Sequence, residues 1–294
     1  WEDNRMRKLI LILAVLAIAV PTFAAFDNIS ISPRTRGMGD AGVAIADDAF
    51  APYFNPAGLG NITSGMLGTS FVEPYGTSFM DVTYFGGVTS MGNYGGIGFG
   101  YRQLVSEYLD VELMSEDTYT MAWGKNLYTD LHTSINVGVS ANMYRLEFAE
   151  TVDGEIPGND TTISIDAGLM IGLHSRTRLG VMVKNINNPV IGIDNQDLRQ
   201  SINAGIGYSP YIGVWTVFEM EHTIDGELQY HGGMEFEVLS GLVMRAGTMT
   251  NPNKMTAGFG YQAAGVGVNY GFSTGGGVLD DTHQFGLTFG WGGE

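Results

Sequence analysis

The chain contains no cysteine, so its structure closes by hydrogen bonding and packing and not by disulfides. Charge is scarce too: only 15% of residues are charged, and 14 basic residues face 31 acidic ones for a formal charge of −17. That balance argues against nucleic acid as a partner, because the phosphate backbone rewards the opposite sign. Long apolar runs are also few. The run Leu9 to Val20 is too short to cross a bilayer as a helix. Met6, Arg7 and Lys8 precede it and Thr22-Phe23-Ala24 follow it, so residues 1–24 read as upstream residues and a cleaved secretory signal. No later stretch reads as a long amphipathic helix.

What fills the chain instead is alternation. "GGIGFGYRQL" sets Ile97, Phe99 and Tyr101 against Gly98, Gly100 and Arg102, and "TTISIDAGLMIGL" sets Ile163, Ile165, Ala167 and Leu169 against Ser164, Asp166 and Gly168. A period of two marks strands whose two faces meet different environments. Such runs predict fourteen strands, near 65–73, 77–90, 95–104, 118–127, 132–147, 161–173, 177–187, 198–209, 213–223, 227–238, 242–249, 254–262, 266–274 and 282–291.

The connections tend to alternate between short and long. "SMGN", "YTDL", "HSR", "PYI", "VLSG" and "AAG" are tight, whereas "VSEYLDVELMSED", "FAETVDGEIPGND" and "NNPVIGIDNQD" are longer and acidic. An even strand number with short turns at one end and longer loops at the other is the pattern of an outer-membrane barrel with both termini in the periplasm. The expected fold is therefore all-β: a 14-stranded antiparallel transmembrane β-barrel over residues 65–294. A charge on the lipid face costs roughly 2–4 kcal/mol near the midplane, so the polar faces must line the interior. Strand phase places Arg102, Lys184, Arg199, Glu219, Glu235, Arg245 and Lys254 there.

Two segments carry a resemblance. "GMGDAGVAIADDAFAPYFNPAGLG", with Gly37, Gly39, Gly42, Asp47, Asp48, Asn55, Pro56, Ala57 and Gly58 at the matching positions, resembles the N-terminal signature of FadL-type and PorV/PorQ-type outer-membrane proteins. The resemblance implies that residues 25–64 form a small hatch folded inside the lumen. Small residues in that segment would let its backbone approach the wall closely. At the other end of the chain, Gln284, Gly286, Phe289 and Trp291 resemble the signal by which the barrel assembly machinery recognises outer-membrane barrels, although Gly292, Gly293 and Glu294 follow the last aromatic.

Catalytic patterns are weak. His132, His174, His222, His231 and His283 are dispersed, with no metal-ligand spacing, and no short cluster suggests a nucleophile and base. No enzyme activity, metal or other cofactor is expected. Glu219, Glu221, Glu235 and Glu237 on neighbouring strands are expected to pair across the lumen with Arg245 rather than to hydrolyse glycosides. Two functions remain. The FadL resemblance implies a plugged passive transporter of hydrophobic small molecules in the outer membrane. The PorV/PorQ resemblance implies a non-enzymatic component of type IX secretion or surface attachment, with secreted protein partners.

Overall fold

The computed structural model describes residue 26 and residues 29–109, 111–150, 158–224, 226–275 and 280–292. The expected signal segment lies outside the described residues. Fourteen antiparallel strands close into a barrel. In chain order they are β1 Gly65–Glu73, β2 Met80–Ser90, β3 Gly96–Tyr108, β4 Val111–Thr129, β5 Thr133–Phe148, β6 Asp160–Leu173 and β7 Thr177–Lys184. A two-residue pair, β8 Val190–Ile191 and β9 Gln196–Asp197, stands apart from the ring. The ring resumes with β10 Ser201–Tyr208, β11 Val214–Thr223, β12 Leu228–Leu239, β13 Leu242–Met249, β14 Lys254–Ala263, β15 Val266–Ser273 and β16 Thr282–Trp291. β1 pairs with β16 from Gly65 opposite Trp291 to Glu73 opposite His283, so no strand edge is left open in the ring.

Every strand core follows the expected phase. On β3 Ile97 and Phe99 are exposed on the outside while Arg102 and Leu104 are buried within; on β16 Phe285, Leu287, Phe289 and Trp291 face out and Gln284 is fully buried. The outer surface is thus a band of Phe, Tyr, Trp, Ile, Leu and Met side chains, as an apolar solvent around the barrel requires.

One connection differs from its sequence reading. The stretch "VSEYLDVELMSED" is not a loop: β3 and β4 continue through it, paired from Ser106 opposite Met114 to Tyr108 opposite Val111, with a register shift after Ser106. Glu107 and Glu112 stand opposite each other there, so the apolar alternation breaks while the backbone pairing continues. The strands β3 to β6 are accordingly the tall side of the barrel, with 13, 19, 16 and 14 residues against 8 in each of β7, β10, β13 and β15.

Candidate functional site: the lumen and its hatch

Residues 29–64 lie inside the ring. The helix Pro33–Arg36 packs on β14, β15 and β16, whereas the 3₁₀ turn Pro56–Asn61 packs on β2 to β6 across the lumen. Most of the segment is buried, including Ile31, Met38, Ala41, Val43, Ala49, Ala57 and Leu59. Close approach depends on missing side chains at specific places. A Cβ on Gly233 would run into the backbone of Met38, and one on Gly138 into the backbone of Pro56 and Ala57. Gly39 has φ +69°, a left-handed turn that glycine adopts without cost.

The motif residues have structural duties that can be read atom by atom. Asn55 is fully buried; its Oδ1 accepts the Ala57 amide at 3.0 Å and caps the 3₁₀ turn, while Nδ2 donates to Val43 O at 2.9 Å and to Leu169 O of β6 at 3.2 Å. The side chain therefore ties two parts of the hatch to each other and to the wall. Pro56 follows at the first helical position, where its missing N–H costs nothing.

Asp47 and Asp48 are not equivalent. Asp47 takes Arg34 Nη1 at 2.7 Å on one oxygen and Arg178 Nη1 of β7 at 2.6 Å on the other. Burial would raise its carboxyl, but the Arg34 and Arg178 guanidiniums outweigh that and hold it at about 2. Asp48 makes a local turn by accepting the Phe50 amide at 2.9 Å, and burial pushes its carboxyl upward. Arg34 goes on to grip Glu235 of β12 through Nε at 3.1 Å and Nη2 at 3.0 Å. Arg245 of β13 meets the same carboxylate at 2.6 Å, directly across the ladder. Arg178 also lies over the Trp215 ring at 4.7 Å. With Asp48 Oδ2 3.7 Å from Arg34 Nη1, three guanidiniums and three carboxylates thus form one chain of charge from β7 through the hatch to β13. A charge in such a buried network is expensive to leave unpaired.

Glu219 does something different from the expected pairing with Arg245. Its Oε2 accepts the Gly42 amide at 2.7 Å and the Val43 amide at 2.9 Å, and Oε1 accepts Asn203 Nδ2 at 2.9 Å. The carboxylate is an anchor for two hatch amides, which removes its need for a cation. Arg199 lies before β10 and not on a strand, and it is exposed, but it borders the lumen cavity. Arg102 is buried in the lumen as expected.

Sequence reasoning missed three participants. Arg34 and Arg36 sit in "SPRTRG", which lacks any periodic signal, and Arg178 begins a strand beside a turn. Arg36 donates through Nε to Gln284 Oε1 at 2.6 Å and through Nη2 to Ser30 O at 3.1 Å. Gln284, the polar residue of the C-terminal pattern, is thus also a luminal contact for the hatch.

The hatch divides the lumen. A cavity of about 460 Å³ on the short-turn side is lined by Arg34, Asp47, Glu235, Arg245 and Gly267. A second, of about 260 Å³, faces the longer connections and is lined by both aromatic and charged side chains, including Tyr53, Tyr75, Tyr144, Arg102 and Lys184. The ends of β1 and β16, Gly65 and Trp291, stand at the short-turn end, whereas the Phe26 amide reaches Glu116 in the opposite half of the barrel at 2.9 Å.

No family model matches the sequence, and no curated protein matches it either. Solved structures do. The toluene transporter TodX of Pseudomonas putida superposes with a TM-score of 0.59 at 11% identity, over 91% of this chain and 99% of that one. The toluene transporter TbuX of Ralstonia pickettii gives 0.59 at 13%, over 90% and 98%, and a Pseudomonas aeruginosa FadL homologue gives 0.56 at 12%, over 91% and 99%. The fold is that of the FadL-type outer-membrane channels. At such identities the likeness concerns architecture, and the residues that line the lumen have to be read from this chain itself.

Proposed function

We propose that the protein is an outer-membrane channel for passive entry of small hydrophobic molecules, with residues 29–64 as its plug. The observation that carries this reading is the division of a closed barrel into two cavities by a segment held through Asp47, Glu219 and Glu235. The similarity to the toluene transporters TodX and TbuX supports the cargo class. In this reading the apolar band meets lipid, the short turns face the periplasm, the last strand is what the assembly machinery recognises, and no residue has a catalytic role.

The test is uptake of labelled toluene by intact cells expressing the protein, beside cells expressing a variant without residues 29–61. Faster uptake than in cells lacking the protein supports the channel, and equal uptake refutes it. The deletion should also raise single-channel conductance sharply while leaving a folded barrel, because the ring's hydrogen bonds do not pass through the hatch.

A secretion or attachment role has one feature in its favour. The β3–β4 hairpin rises above the ring with Tyr108, Leu109, Val111 and Leu113 exposed, a surface for a protein partner. Replacing those four by serine without effect on any secreted protein's release or attachment would remove this reading.

A further inference from the structure

The five histidines are dispersed along the sequence, but the register of the barrel brings two of them together. Thr133, the first residue of β5, stands opposite Leu173, the last of β6. His132 and His174 are the next residues on either side, so they face each other just beyond the ladder, at the end of the barrel that carries the short turns. Their ring centroids are 4.9 Å apart and the ring planes are inclined by 34°.

The backbone holds this pair in place. The His174 amide donates to the His132 carbonyl at 2.7 Å, which carries the β5–β6 hydrogen bonding into the turns. Asp130 fixes the other side: its Oδ1 accepts the His132 and Thr133 amides, each at 2.7 Å, and its Oδ2 accepts the Tyr128 hydroxyl at 2.8 Å. His174 has φ +51° and Ser175 φ +56°, the double left-handed turn in which Asn-Gly or Gly-Gly is the ordinary choice. A histidine stands there instead, beside another.

The ring nitrogens of this pair are placed unlike those of His231 and His283. His231 Nδ1 meets Gly39 O at 2.7 Å, and His283 Nδ1 meets the Tyr270 hydroxyl at 2.7 Å. Among the described residues, no hydrogen-bond partner lies on a ring nitrogen of His132 or His174, and both residues are exposed. Their separation also has a meaning for coordination. Two imidazoles that share a tetrahedral zinc through nitrogens about 2.0–2.1 Å from the metal have ring centroids about 5 Å apart. Imidazole nitrogen favours zinc, copper and nickel over the hard cations magnesium and calcium.

We propose that His132 and His174 bind one divalent ion of the zinc class at the short-turn end of the barrel, where it clips the β4–β5 turn to the β6–β7 turn. The backbone is already at the required spacing, so the rings need only turn in place to offer one nitrogen each. Among the described residues no three histidine, aspartate or glutamate side chains converge on a metal position, so two imidazoles are the protein's share and water completes the shell. Asp130 supports the pair and is not a ligand, because its oxygens are engaged by the turn. Such a site is open and exchangeable, unlike a four-ligand structural zinc. It stands apart from both luminal cavities, and its occupancy does not depend on what passes through the lumen.

The experiment is titration of the purified, untagged full chain in detergent with zinc chloride, with free zinc read by a chromophoric chelator. One saturable site is expected. His132→Gln and His174→Gln should each weaken it about tenfold or more, as loss of one of two protein ligands implies, and His222→Gln should leave it unchanged. Heat-modifiable migration on gels reports that each barrel is folded. A second measurement needs no variant: zinc should shield His132 and His174 of the unaltered chain from diethyl pyrocarbonate and leave His222 as reactive as before, and magnesium at the same concentration should shield none of them. Absence of a saturable site, unchanged affinity in folded His132→Gln and His174→Gln, or equal shielding of all three histidines overturns the proposal and leaves the two rings as a stacked pair.

Discussion

Glu219 offers a local measure of how firmly the hatch is held. Its carboxylate accepts the Gly42 and Val43 amides at 2.7 and 2.9 Å, and the residue is 5% exposed. In Glu219→Ala both amides lose their acceptor together. An orphaned buried donor costs about 1–3 kcal/mol, so the pair would cost about 2–6 kcal/mol if the site stayed dry. Glu219 also borders the cavity of about 260 Å³, so water can follow the carboxylate out and relieve part of that cost. The lower end, about 2 kcal/mol, is therefore expected, which is about a 30-fold rise in hydrogen exchange at the two amides. Glu219→Gln keeps one oxygen that can accept both N–H groups and loses only the charge, so its rise should stay below about tenfold. The assay is amide hydrogen exchange resolved at Gly42 and Val43, with β5 and β11 amides as the internal reference. Unchanged exchange at 42 and 43 in a folded Glu219→Ala barrel would refute the anchoring role.

Further expectations come from the charge network and the close contacts. Arg34→Met should free the hatch more than Arg145→Met does, because Arg34 bonds both Glu235 and Asp47 whereas exposed Arg145 pairs, among the described residues, with half-buried Glu147; a double-mutant cycle of Arg34→Met with Glu235→Gln should give coupling of about 1–3 kcal/mol, and additive effects would sink the network. Asp47 is held at about 2, below its unfolded value, so its contribution is full above about pH 4 and is lost as pH falls through about 2. With the Asp47 side chain 29% exposed, that loss is worth about 1–2 kcal/mol, and protonation of Asp48 offsets part of it. Conductance followed from pH 5 to pH 2 should show hatch release steepening near the bottom of that range, less so in Asp47→Asn. Gly138→Val should raise single-channel conductance or lower the melting temperature, because its side chain claims the volume of Pro56 and Ala57; no change in either measure would contradict the packing.

The wall was legible because its code is simple. Each strand core sits between lipid and lumen, so every second residue must be apolar, and β5, β6 and β16 show this plainly. The rule weakens where the environment changes. Past Ser106 and Met114 the paired strands set Glu107 opposite Glu112 beside exposed Tyr108 and Val111, so the same backbone pairing runs through an acidic sequence that looks like a loop. The site was legible in its residues and less so in its pairings. Phase alone places Glu219 and Arg245 inside, but the partner of each depends on what fills the lumen. Glu235 and Arg245 lie opposite each other on adjacent strands and find one another, whereas Glu219 meets backbone amides that no side-chain pattern announces. Arg34 and Arg36 were invisible for a related reason: a hatch obeys neither period, since it is surrounded on all sides.

The seam between β1 and β16 has a consequence for the order of assembly. The segment inside the ring precedes β1 in the chain, and the contacts that grip its first turn come from the strands made last. Arg36 binds Gln284 and Ser273, Gln284 also binds Ser30 O, and a side chain at Gly286 would strike Pro33. Contacts spanning some 250 residues, as Ser30 and Gln284 do, can form only when the whole barrel sequence is present. The first turn of the hatch can therefore be clasped only once the last strands are available. A ring closed by β1 and β16 before the hatch had entered would have to admit it through one of its two mouths, whereas a sheet still open along that line can wrap around it. The β1–β16 seam is therefore the line along which the hatch can be enclosed without being threaded through a mouth.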